Sequence, residues 1–68
     1  MNEVLPRPVD LSISSLTEEQ AYALAELCKR ICWTDARACA VDDTEARNMI
    51  HAMARVRGAL EDAGISVR

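Results

Sequence analysis

The longest regular pattern in the chain is DTEARNMIHAMARVRGALEDA, from Asp43 to Ala63. Its apolar residues Ala46, Met49, Ile50, Met53, Val56, Leu60 and Ala63 recur three or four apart. That spacing puts them on one face of a helix, and it predicts a helix over the whole stretch. Asp42 is a good N-cap and Glu45 stands three residues on, the pattern of a capping box. Gly64 is suited to a left-handed C-cap, with Ile65 folding back towards Leu60. In a chain of 68 residues, close to the lower limit for independent folding, the other elements are expected to pack on this helix.

Upstream, Thr17 and Gln20 form a second capping box, with Leu16 and Ala21 at the staple positions. Glu18 and Glu19 suit the positive end of the helix dipole, and Lys29 and Arg30 the negative end. These signals predict a helix over 18–32 with an apolar face of Ala21, Leu24, Leu27, Cys28 and Ile31. Thr34 or Asp35 caps a short helix from Asp35 to Ala40, leaving Trp33, Asp35 and Arg37 together at a corner. Pro6 and Pro8 fix an extended arm over 1–8, ahead of a single domain over 9–68.

Between the arm and the first helix, Val9, Leu11 and Ile13 alternate with Asp10, Ser12 and Ser14, the two-residue period of a strand with one buried face. A lone strand leaves its backbone groups unpaired. Three outcomes are open: pairing with its own copy, pairing with another protein's sheet edge, or lying along the helices. The expected fold is mainly α, a small three-helix domain centred on the long C-terminal helix, with an extended or β N-terminal segment. The first helix is expected to cover about the first four turns of the long one. The remainder, around Val56, Gly58 and Leu60, then needs Val9, Leu11 and Ile13 or a second molecule, which makes these six residues the candidates for self-association. Gly58, inside a helix, costs about 1 kcal/mol relative to alanine. It marks either close approach of another helix or simple tolerance on a solvent face.

The residues offer little to catalysis. Gly58 and Gly64 are the only glycines, so no Gly-rich phosphate loop exists. His51 is the only histidine and lies beside the apolar stripe, with no nucleophile motif near it. Cys28, Cys32, Cys39 and His51 lack the tight two-residue cysteine spacing of zinc sites, and free cysteine is among the most buried residue types. No metal, no cofactor and no enzymatic activity are expected. The start MNEVLPRPVD has no apolar run, and no stretch is long enough to span a membrane. A cytoplasmic protein with reduced thiols is the expectation.

The net charge of -3 disfavours direct nucleic-acid binding. A strand followed by helices is also the order of the ribbon-helix-helix repressors, but Asp10 would stand on the face that meets phosphate, and the stretch from Trp33 to Val41 delays the second helix. Trp and Arg are enriched at interface hot spots. Trp33 beside Arg30 and Arg37 is therefore either a partner anchor or the one large plug of the core.

Three stretches, LTEEQAYALAELCKR, WTDARACAV and EARNMIHAMARVRGALEDAGI, resemble a small family of uncharacterised proteins of proteobacterial genomes and mobile elements. The resemblance covers Leu11 to Arg68 and implies a context, a phage- or plasmid-borne accessory gene, without an activity. Small acidic proteins of that context often block host machinery, as anti-CRISPR proteins do. The expected function is a non-enzymatic protein-interaction module that inhibits a host defence complex by steric and electrostatic blocking. Its partner would be a protein, specifically a nucleic-acid-binding host complex. Trp33, Asp35, Arg37, Asp42, Asp43 and Glu45 are the candidate contacts, and a homodimer is compatible with this. The alternative is a small dimeric DNA-binding regulator or antitoxin.

Overall fold

The computed structural model describes residues 7–66. Most of the expected 1–8 arm therefore lies outside the described residues. Three helices follow in order, α1 (Glu18–Arg30), α2 (Trp33–Cys39) and α3 (Asp43–Asp62). Residues 7–14 have no regular secondary structure.

Each boundary has a local cause. Thr17 Oγ1 accepts from the Gln20 amide at 3.0 Å, and the Thr17 amide donates to Gln20 Oε1 at 3.1 Å. Two of the amides orphaned at the start of α1 are thus satisfied reciprocally. α1 ends two residues before the sequence-based limit, because Ile31 and Cys32 are extended and Cys32 serves as N-cap of α2. α2 accordingly starts at Trp33, two residues earlier than the Thr34 or Asp35 caps imply. Asp35 does cap it, but from the third helical position, where its carboxylate accepts from the Cys32 amide at 3.1 Å.

At the head of α3, Asp42 Oδ1 accepts from the Glu45 amide at 2.9 Å. Glu45 reaches back one residue further than a capping box requires, and its Oε1 accepts from the Val41 amide at 2.8 Å. At the tail, Gly64 has φ 92 and its amide donates to Glu61 O at 3.0 Å, while the Ile65 amide donates to Leu60 O at 2.8 Å. This is the Schellman arrangement, and Ile65 packs against the cluster that holds Leu60.

The core lies along α3 and is built of small residues. Ala21, Ala25 and Cys28 of α1, Ala36 of α2, and Ala46 and Leu60 of α3 are its buried apolar members among the described residues. α1 crosses the second half of α3: Ala21 and Ala25 cluster with Leu60, flanked by Leu24, Val56 and Ile65, and Cys28 Sγ lies 3.8 Å from Met53 Sδ. This differs from the expected cover of the first turns. The two-residue α1–α2 link sends α2 to the head of α3, where Arg37 Nε bonds Asp43 Oδ1 at 2.7 Å. α1 is thereby left for the tail, and Val56 and Leu60 find their cover inside the same chain.

A Cβ added at Gly58 would meet nothing within 4 Å, so no other helix of the chain approaches there. Gly58→Ala is expected to stabilise the fold by about 0.5–1 kcal/mol through helix propensity alone. Ala46 is 0% exposed, and Ala46→Leu is expected to cost about 1–3 kcal/mol by overpacking. Denaturant unfolding of the two variants checks both signs.

Candidate functional site

Four of the six candidate contact residues, Arg37, Asp42, Asp43 and Glu45, make caps and one ion pair at the α2–α3 corner, and a fifth, Asp35, caps the other end of α2. Asp35 faces Cys32, whose amide and thiol both donate to its Oδ2 at 3.1 Å. The thiol hydrogen bond first, and the backbone one second, hold the Asp35 carboxyl below its ordinary value. Arg37 joins Asp43 through Nε and donates from its terminal nitrogen to Ala40 O at 3.0 Å. Asp42 and Glu45 accept the amides of Glu45 and Val41. Of the four carboxylates only Asp43 pairs with the Arg37 guanidinium, and each of the five side chains has a partner that helps to hold the local backbone. As an exposed pair, Arg37 and Asp43 contribute at most about 1 kcal/mol.

Trp33 opens α2 and is 43% exposed. It is not the plug of the core: the interhelical space is closed by alanines, which leave no room for an indole. The residue that sequence reasoning missed is Val41, 82% exposed in the α2–α3 link. It precedes the Asp42 cap and stands where a hydrophobic staple would reach Ala46. Ala46 is already buried, so Val41 is left outside. A large apolar residue before a cap whose staple partner is only alanine was the available signal.

The self-association candidates divide. Leu60 is buried and Val56 half-buried by α1, and Gly58 lies on another side of α3, by Arg57 and Glu61. Val9, Leu11 and Ile13 are exposed and line one wall of an open groove of about 710 Å³, with Val56, Leu60 and Ala63 along another. Cys28 is buried, whereas Cys32 and Cys39 are exposed, and all three are free thiols. Among the described residues no group of three or more His, Cys, Asp or Glu is placed to hold a metal ion. None of the described helices is long and apolar enough to cross a membrane.

A family model described as "Family of unknown function (DUF7706)" matches residues 1–68. The chain belongs to this family. No curated protein and no solved structure matches it. Membership fixes kinship over the whole length and brings no activity with it.

Because the Asp35 carboxyl is depressed, its contribution to the α2 cap is present above the ordinary carboxylate value and is lost as pH falls through the lower folded value. Cys32→Ala is expected to move the Asp35 titration up towards the ordinary value, and Cys32→Ser to leave it low. Carboxyl titration by NMR reads both.

Proposed function

We propose that the chain is a non-enzymatic protein-binding module. The observation that carries this reading is an inversion of apolar residues. The buried residues are alanines, one cysteine and one leucine, while Trp33, Val41 and Leu11 stand at the surface. Large exposed apolar side chains set among charges are what a partner's surface covers.

The α2–α3 corner is the face we assign to a foreign partner. Trp33 and Val41 supply apolar contact, and Asp35, Asp42, Asp43 and Glu45 outnumber Arg37 around them. Asp35 resists neutralisation as pH falls. Such a face complements a basic, partly apolar groove, and charge of this sign steers encounter with a surface made to hold nucleic acid. The sequence pI of 4.9 supports the same polarity. Blocking a nucleic-acid-binding host complex, in a phage or mobile-element context, is the narrower form of this reading, and it rests on the resemblance in sequence. A DNA-binding regulator finds less support, since Asp10 is exposed on the segment that would have to meet phosphate.

Affinity capture from a bacterial host, run in parallel with Trp33→Ala and Val41→Asp, tests the proposal. Wild type is expected to retain a basic, nucleic-acid-binding protein, and each variant to lose at least tenfold of it, a loss of about 1.4 kcal/mol, with helical circular dichroism unchanged. Equal capture by all three, or a salt-sensitive complex of wild type with bare DNA, would sink it.

A further inference from the structure

The segment over 9–14 has the attributes of a strand without a partner. Among the described residues none of its backbone groups makes a hydrogen bond within the chain. Val9, Asp10, Leu11 and Ile13 line the groove beside α1 and α3, whereas Ser12 and Ser14 do not. The run is bounded at both ends. Pro8 has no N–H to donate, and Ser15, with φ 64, turns the chain in the left-handed region. Six residues in extended form span about 20 Å, the length of an ordinary strand.

We infer that this segment pairs antiparallel with the same segment of a second copy, across a two-fold axis at Leu11, to form a two-stranded ribbon. The self-complementarity is specific. In an antiparallel ladder residues directly opposite share a face. Centred on Leu11, the pairing sets Val9 against the second copy's Ile13 and Leu11 against its own equivalent, so all the apolar side chains fall on one face. On the other face Asp10 meets Ser12, and no like charges are opposed. A register slipped by one residue would put Leu11 opposite a serine or Asp10 and mix the faces.

The apolar face of such a ribbon has a floor to rest on. Val56, Leu60 and Ala63 line the groove on which the segment already borders, and the two-fold repeats that groove in the second copy. A second copy would give the unpaired backbone of the segment its partners. The inference does not depend on the α2–α3 corner, which the ribbon leaves uncovered.

Sedimentation equilibrium of the full chain, with reductant present because Cys32 and Cys39 are exposed, tests it. Wild type is expected at twice the 7.5 kDa chain mass. Leu11 is 81% exposed, so Leu11→Lys and Leu11→Glu should keep the helical signal. Each alone brings like charges together at the axis and is expected at the monomer mass. Mixed one to one, they are expected to regain the dimer, because Lys then meets Glu. A monomeric wild type, a dimer that survives in both single variants, or a mixture that stays monomeric would each overturn the pairing.

Discussion

Close approach of helices through alanine is the constraint on which this structure depends. Ala21 and Ala25 let α1 lie against α3 beside Leu60, and Ala36 and Ala46 are the buried residues where α2 meets the head of α3. Alanine loses no side-chain rotamer freedom on burial, so such a core is inexpensive in entropy. It is also thin. Removal of a few alanine methyls from water contributes far less than burial of leucines would. A chain of this size held by such a core has little stability to spare.

That thinness explains the weight carried by the helix ends. The capping box at the head of α1, the Asp42 cap at the head of α3, the Asp35 carboxylate under α2 and the Schellman turn at Gly64 satisfy groups that would otherwise be orphaned. Each is worth on the order of 1 kcal/mol, a substantial share of the stability of a small domain. The acidic residues at the α2–α3 corner therefore have two consequences. They cap the starts of helices, and as acidic side chains they give that part of the molecule its negative character. The same thin core leaves large apolar side chains outside, at the corner and on the N-terminal segment. The small buried residues and the large exposed apolar ones thus have one cause.

Much of the architecture was legible in the residues. The three-helix order, the Thr17–Gln20 box, the Asp42 cap and the Gly64 turn all follow from interactions within four or five residues, which local chemistry determines. Asp35, Asp42 and Glu45 accept from backbone amides for the same reason: they are capping types near helix starts. What local chemistry could not reach was where each side chain ends in relation to other helices. Trp33 reads equally well as plug or anchor until the spacing of α1 and α3 is known. Val41 attracts no notice until Ala46 is seen to be closed over.

By itself the sequence determined where α1 and α3 start and where α3 stops. Caps and amphipathic periods are set by neighbours along the chain. Only the tertiary structure decided which half of α3 each other helix covers. The two-residue link after α1 and the Arg37–Asp43 pair take α2 to the head of α3 and leave the tail to α1, so Leu60 is buried within the chain rather than left for a partner. It also decided that Val9, Leu11, Ile13, Trp33 and Val41 are among the exposed apolar residues. Exposure depends on what lies opposite a side chain, and that is a property of the packed molecule.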